Sequence, residues 1–546
     1  MALKFTALSG TTTVTHNMYV YETDRQMLVV DCGVGFPDIN AQGVDLILPD
    51  FSYVVKNKNK LVGILLSHGH EDHIGAVPYF LREVNAPVWG TRLVSAFLDE
   101  KFKDHKLNVK LNTFSENGDE FDIGEFHINS FRTTHSIPET TGFSIDTPEG
   151  RVFHVPEHKI DQHPVDGMAF DETRARGLAQ NVLFLASDSL GANKKGVTRE
   201  ETHIEGNLLE IVKSAGNAVF FTAISSNIGR FKQIMNVAKT VDRKIVFVGY
   251  SIWKKCEIAR ELGYLDYQND FVVGTQEAKK MEGRKLLYIT AGCFGQEGSS
   301  LYRLSENAHP KVKLERGDMV IFSQDPAPPY TKEAQDHMIN NLVDLGADVH
   351  YYDLDEDIYV SGHGSQEDIV KLFEIANPKY FTPVGGTIRF MKSYADLAED
   401  FGAPKENIFR LKPGESIIFE NGRARRGPSA PVKKIYVDGI GVGDVGKIVL
   451  QDRQTLSQGG VVIAVVKLTK DKKLAGDPEI ISRGFVFEKI SKSMLIKAEK
   501  GISRQIKKKG KIDKRTVEET TQSYLTDFFF QKTARHPMIL PVIVEV

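Results

Sequence analysis

The sequence predicts an α/β protein of two or three domains built around a metal centre, and three observations predict it. At 546 residues the chain far exceeds what one hydrophobic core usually organises. A continuous apolar run, Leu61 to Ser67, leads straight into a histidine-rich loop and then a helical pattern, the layout by which α/β folds place polar groups at the carboxyl ends of their strands. From about Gly206 onward strand and helix patterns alternate, which implies a parallel sheet with crossover helices.

Taken in order, Thr11 to Tyr21 and Met27 to Val30 read as paired strands ending on Asp31-Cys32-Gly33. Asp31 stands where a carboxylate commonly orients a neighbouring ligand, a turn-forming Asp being the alternative. Leu61 to Ser67 reads as a strand buried on both faces, and Ile74 to Arg82 as a helix. The alternating region gives strands at Ala218 to Ala223 and Lys244 to Val248, and helices at Arg230 to Thr240 and Lys255 to Leu262. Asn421 to Val432, rich in Arg, Gly and Pro, marks a possible linker, and a small α+β unit follows. No internal repeat or low-complexity tract is present.

Composition narrows the class. Apolar content of 41%, charged content of 26% and net charge −3 are ordinary globular values and exclude large-scale disorder. Near-neutral charge leaves no overall electrostatic footprint for nucleic acid, so such a partner must be met by a local groove. The N-terminus lacks a signal-peptide layout, and the longest apolar runs, such as Val461 to Val466, are too short for a bilayer. Cys32, Cys256 and Cys293 are scattered, which argues against both a disulfide framework and a thiolate metal site and predicts a cytoplasmic location.

The strongest chemical signal is His68-Gly69-His70-Glu71-Asp72-His73. Imidazoles two apart in a loop can converge on one ion while Asp72 and His73 address a second, and this donor set suits zinc or manganese. Paired ions lower the pKa of a bridging water and clamp a phosphoryl or acyl oxygen, which is hydrolase chemistry. His135 follows an apolar-alternating strand and would complete a three-histidine site, although alone it would more often be a buried core histidine. His363, between Gly362 and Gly364, sits in a loop whose backbone can approach a phosphate. Gly441 to Gly446 matches G-x-G-x-x-G, but Lys447 to Leu450 reads as β-rich, so the motif is taken as a turn. The Lys507-Lys508-Lys509 run reads as a solvated helix face, with RNA contact as the alternative.

Several segments together resemble the ribonuclease J family. They are Val44 to Asp50, HGHEDHIGA from His68 to Ala76, THSIP at 134–138, Ser187-Asp188-Ser189, and Ser226-Asn227 with Arg230. SGHGSQED from Ser361 to Asp368, Ser482-Arg483-Gly484-Phe485, and the closing stretch from Lys532 to Val546 complete the set in family order. The resemblance implies a metallo-β-lactamase αββα sandwich interrupted by a β-CASP α/β domain, then a small C-terminal α+β association domain. The expected bounds are 1–205 and 365–435 for the sandwich, 206–364 for the insert, 436–455 for a linker and 456–546 for the C-terminal domain. It further implies rRNA processing and mRNA decay by 5′-to-3′ exonuclease or endonuclease action, with one or two zinc ions or manganese. Implied partners are RNA and either a homo-oligomer (dimer or tetramer) or a hetero-oligomer with a paralogue, with no membrane contact.

Carried over by residue, His68, His70 and His135 would hold the first metal, and Asp72, His73 and Glu157 the second, with Asp72 also catalytic. His363 would contact the scissile phosphate, with Ser361 and Gly364 forming its phosphate-binding loop. The chain is a divergent member on this reading. The family's Gly-Asp-Phe-Lys is Pro156-Glu157-His158-Lys159 here, making the bridging carboxylate one methylene longer, and its Pro-Val-His-Gly-Glu is Pro383-Val384-Gly385-Gly386-Thr387, removing a ligand of the second metal. His158, adjacent to Glu157 on an extended segment, is expected to point away. Two phosphate-side elements also differ, at Gly249-Tyr250-Ser251 and Pro328-Pro329-Tyr330-Thr331. The expected function is ribonuclease J-like RNA processing attenuated by the lost ligand. The alternative is a degenerate, non-catalytic RNA-binding partner of an active ribonuclease J. A β-lactamase or glyoxalase is disfavoured, because those families lack the β-CASP and C-terminal matches.

Overall fold

The computed structural model describes residues 2–37, 41–326, 329–486, 488–509 and 513–546. The chain divides into two compact units: residues 1–36 with 46–435, and residues 37–45 with 436–546.

In the first unit, an eight-stranded sheet runs in the order Arg423–Arg426, Ser416–Glu420, Leu3–Ser9, Met18–Glu22, Met27–Val30, Leu61–Leu65, Val88–Gly90, Leu111–Thr113. A six-stranded sheet runs Tyr380–Val384, Val182–Asp188, Gly150–Val155, Thr141–Thr147, Phe126–Arg132, Glu120–Ile123. Their facing sides share one core, with Phe5, Tyr21 and Leu28 from the first meeting Phe143, Val152 and Phe184 from the second. Alternation along a strand sends neighbours to opposite faces. Phe184 and Ala186 enter this core, while Leu185 packs outward against the helices Gln366–Ala376 and Ile388–Asp400. The helix Arg92–Asp104 lies against the first sheet. This is the αββα sandwich that the sequence predicts.

Two expected elements are subdivided. The expected strand Thr11 to Tyr21 is Thr11–Thr12 and Met18–Glu22, separated by a loop containing Asn17. The expected helix Ile74 to Arg82 is instead Glu71–Ile74 and Val77–Glu83. Between these helices the Ala76 amide turns aside to donate to Cys32 O, and Pro78 has no amide with which to continue the ladder.

Within the same unit, five strands form an all-parallel sheet in the order Lys244–Val248, Leu286–Thr290, Val219–Thr222, Met319–Phe322, Asp348–His350. Val219–Thr222 is buried throughout, as a central strand covered on both faces must be. The helices expected from Arg230 and Lys255 begin earlier, as Ile228–Thr240 and Tyr250–Glu261. The side-chain oxygen of Asn227 caps the first by accepting from the Arg230 amide at 2.9 Å. The Asn421 to Val432 stretch contributes the edge strand Arg423–Arg426.

The second unit contains the sheet Glu479–Arg483, Val461–Leu468, Met538–Glu545, covered by the helices Glu488–Lys509 and Lys514–Thr533. Val462, Ala464 and Val466 face Ile502, Leu525 and Phe529 in its core. Residues 436–455, expected as a linker, hold a hairpin at 437–442 and most of the helix Lys447–Gly459. The β-rich reading of Lys447 to Leu450 is thereby corrected. The four-residue apolar window was too short to show a period, and Gln451 to Gln454 continue it with helix-tolerant residues. The G-x-G-x-x-G run joins an antiparallel hairpin to this helix rather than lying in a βαβ unit. Lys507, Lys508 and Lys509 are exposed at the end of their helix. Among the described residues, no helix is long and apolar enough to cross a membrane.

Candidate metal centre

The Leu61–Leu65 strand delivers Ser67 and His68 to the rim of the sandwich, and the Glu71–Ile74 turn folds back so that His70, Asp72 and His73 face the same cavity. Gly33 makes that return possible, because a Cβ there would fall 1.5 Å from the Asp72 carbonyl oxygen. The ligand atoms of His68, His70, His135 and Glu157 lie within 4.8 Å of one another, and so do those of Asp72, His73 and Glu157. Glu157 belongs to both groups. Its Oε1 is 3.0 Å from His73 Nε2, and its Oε2 is 2.9 Å from His68 Nε2 and 2.8 Å from His135 Nε2.

Each imidazole is turned by a partner behind it. Ser67 Oγ lies 2.9 Å from His68 Nδ1, leaving Nε2 to face the centre. His135 Nδ1 donates to the Gly362 carbonyl at 2.6 Å, so its Nε2 also points inward. Glycine is required at 362, since a Cβ would sit 2.6 Å from the His135 ring. Ser136 Oγ meets His70 Nε2 at 3.2 Å and leaves Nδ1 for the centre. Asp31, buried and in the left-handed region at φ 59°, accepts from Ser67 N and Oγ, each at 2.9 Å, and from His73 Nδ1 at 2.7 Å.

Electrostatics separates the two groups. Burial, helped by neighbouring rings, lowers His68 to about 4 and His70 well below its ordinary value. Both are therefore neutral at physiological pH with lone pairs available, as metal ligands must be. Burial also works against His73, but the carboxylates of Glu157, Asp31 and Asp72 outweigh it and hold its pKa well above normal. Burial, with Glu157 beside it, pushes Asp72 up to about 6. This concentration of negative charge favours any cation that enters.

The donors fit a divalent ion. His68 Nε2 and Glu157 Oε2 are buried and only 2.9 Å apart, yet neither forms a hydrogen bond of proper geometry. Buried polar atoms left without a partner in this way are available to an ion. Imidazole nitrogen with carboxylate oxygen is the donor chemistry of zinc and related ions.

Gly385 ends the Tyr380–Val384 strand at φ 68°, its amide donating to Gly10 O at 2.8 Å. A Cβ there would meet nothing nearer than 3.6 Å, the closest atoms being Asp188 Oδ1 and Pro156 O. His158 is fully buried, and neither of its ring nitrogens has a hydrogen-bond partner among the described residues. It belongs to neither ligand group.

His363 stands beside the first group, its ring centroid 5.0 Å from that of His135. Its Nδ1 donates to Asp188 Oδ2 at 2.7 Å. Burial opposes the charged ring, but the Asp188 carboxylate raises the pKa to about 9. Ser361 Oγ accepts from the His363 amide at 3.2 Å, and the Gly364 amide donates to the His158 carbonyl at 2.7 Å. These two residues thus shape the loop, and the His363 side chain is its cationic group. Pro328 lies outside the described residues.

Two participants escaped the sequence reading. Asn17 Nδ2 lies 2.9 Å from His73 Nε2 and 3.4 Å from Asp72 Oδ2. Nothing in its local sequence marks it. Asp188, the partner of His363, was read only as part of the Ser187-Asp188-Ser189 segment and given no role, although it closes a fully buried strand, where an unpaired carboxylate is costly.

Comparisons with known proteins agree with this geometry. Residues 11–158 match the metallo-beta-lactamase superfamily, 216–342 the ribonuclease J beta-CASP domain, 356–409 the Zn-dependent metallo-hydrolase RNA specificity domain, and 448–546 the ribonuclease J C-terminal domain. Ribonuclease J2 of Bacillus subtilis (strain 168) is 33% identical over 564 residues, covering 100% of this chain and 99% of the relative. Ribonuclease J 2 of Staphylococcus saprophyticus is 33% identical over 551 residues, covering 100% and 98%. A crystal structure of a protein of unknown function from Enterococcus faecalis V583 covers 77% of this chain and 100% of its own, with a TM-score of 0.54 and 13% identity, and shows the fold alone. Full-length identity at this level, together with domain matches in the order of the observed sheets, makes the chain a member of the ribonuclease J family.

Proposed function

We propose that this chain is a zinc-dependent ribonuclease that processes RNA by hydrolysing phosphodiester bonds. The carrying observation is the Glu157 carboxylate shared by two converging donor groups. A divalent ion held by these residues would supply Lewis acidity toward a phosphoryl oxygen and would lower the pKa of water. The chain's own residues do the rest. His68, His70 and His135, each turned by a partner behind it, are the ligands of the first position, and Asp72 with His73 addresses the second. His363, cationic at neutral pH through Asp188, is suited to meet a phosphate oxygen.

Activity is attenuated on this reading, because Gly385 offers no side chain where the family pattern has an imidazole. A non-catalytic partner subunit is not favoured, since the first donor group is complete with four residues. We assign the sandwich to 1–205 with 365–435, the insert to 206–364 and subunit association to the C-terminal unit, in a cytoplasmic protein.

The test is decay of a 5′-monophosphorylated RNA by pure protein supplied with zinc or manganese, beside His68→Ala/His70→Ala. Decay by the wild type alone supports the assignment. Equal decay by both, or by neither, overturns it.

A further inference from the structure

Beside the metal loop, the first turn of the Tyr250–Glu261 helix presents two large aromatic rings to solvent. Tyr250 is 66% and Trp253 39% exposed, and their centroids are 5.7 Å apart at an interplanar angle of 51°. Tilted in this way, the rings do not cover each other face to face, so each keeps a surface free. Tyr250 Oη donates to Glu100 Oε1 at 3.2 Å, which holds its ring against the Arg92–Asp104 helix.

Lysines flank the rings, paired with carboxylates, and lead toward the metal loop. Lys254 and Lys103 both lie 3.5 Å from Glu100 Oε2, two ammonium groups sharing one carboxylate. One residue further along the same helix, Lys255 Nζ lies 3.1 Å from Oε1 of Glu71, the neighbour of Asp72 in the metal loop. Exposed aromatic faces with lysines alongside are what single-stranded nucleic acid requires: rings for the bases and ammonium groups for the backbone.

We propose that Tyr250 and Trp253 form a stacking platform for unpaired bases of single-stranded RNA, holding the strand at the entrance to the metal centre. The proposal rests on RNA being the substrate, as argued above, and adds how the strand is gripped. Base stacking is tolerant of sequence, so grip at this point is largely independent of base identity.

The chain contains two tryptophans, and Trp89 is packed against the sandwich core, so Trp253 supplies the solvent-facing signal. The experiment is a tryptophan-fluorescence titration of the full chain with a 5′-hydroxyl single-stranded oligoribonucleotide, with binding followed in parallel by mobility shift. Wild-type emission should be quenched by the RNA and unaffected by inorganic phosphate. Trp253→Phe should abolish quenching while keeping affinity within about threefold, since a ring remains to stack. Tyr250→Ala/Trp253→Ala should weaken binding by about 5- to 150-fold, the range for one lost base stack, with zinc content unchanged. RNA binding without quenching, or with full affinity in the double variant, overturns the platform and leaves the ribonuclease assignment standing. Absence of RNA binding by wild type overturns both. A change of oligomeric state in the double variant with RNA affinity retained assigns the rings to a protein contact and likewise overturns the proposal.

Discussion

Asp31 accepts a hydrogen bond from Nδ1 of His73 at 2.7 Å, and it does so from a left-handed backbone conformation at φ 59°. The turn and the ligand-orienting role are therefore one feature: the turn aims the carboxylate, which also receives both Ser67 donors. Asp31→Asn keeps the turn, because asparagine tolerates left-handed angles, but loses the charge behind His73. We expect weaker binding of the second metal equivalent and slower RNA decay, by about 10- to 100-fold, with the fold retained. Elemental analysis and circular dichroism check the two halves of this expectation, and an unchanged metal titration would rule out the orienting role.

The His363–Asp188 pair gives a pH-dependent signature. The folded pKa of His363 is raised to about 9, above its unfolded value of about 6.5. Its contribution to stability is therefore fully present below about 6.5 and lost as pH rises through about 9. Asp188→Asn keeps the amide contact to Leu190 through its carbonyl oxygen but removes the charge. The melting temperature of the wild type should exceed that of the variant near pH 6, and the gap should narrow steadily toward pH 10. A gap independent of pH would contradict the pairing.

Much of the site was legible because its residues are local. His68 to His73 lie within six positions after one buried strand, and His135 follows an apolar-alternating strand, Phe126–Arg132. What was not legible comes from distant pairing. Asn17 reaches His73 only because its loop is drawn to the Asp72 backbone by a 2.9 Å amide contact, and no spacing rule encodes that. The helix at Lys447–Gly459 was missed because its apolar start, Ile-Val-Leu, is equally compatible with a strand over four residues. The parallel sheet was legible through its apolar strands at Val219–Thr222 and Lys244–Val248, each followed by a helical pattern, whereas the outer strand Asp348–His350 has a single apolar residue and gave no signal.

In the C-terminal unit, Leu540, Val542 and Val544 alternate along the Met538–Glu545 strand and are all exposed. With Ile481 on the sheet's other outer strand they give an apolar surface of the kind that marks protein contacts. Leu540→Lys/Val542→Lys should convert an oligomer into monomers in light scattering, without changing zinc content. An unchanged mass would place association elsewhere.

Gly385 decides how far the second metal position can be restored. The space exists, since a Cβ would meet nothing nearer than 3.6 Å, but the backbone stands at φ 68°. A side chain in that region costs about 1–2 kcal/mol. Gly385→Ala should therefore lower stability by about that amount while adding no ligand. Gly385→His should pay the same strain yet bind the second zinc equivalent more tightly, and Glu157→Asp should add to the gain by drawing back a carboxylate whose Oε2 is now 2.8 Å from His135 Nε2. RNA decay by the pair should exceed that of the wild type, because two-metal hydrolysis depends on clamping both the attacking and the leaving oxygen. Denaturation, elemental analysis and decay of a monophosphorylated RNA, run on the alanine, histidine and paired variants, separate strain from ligation. If the pair holds two metals and cuts no faster, the missing imidazole is not what limits the protein, and the altered segment at Tyr250 becomes the place to look.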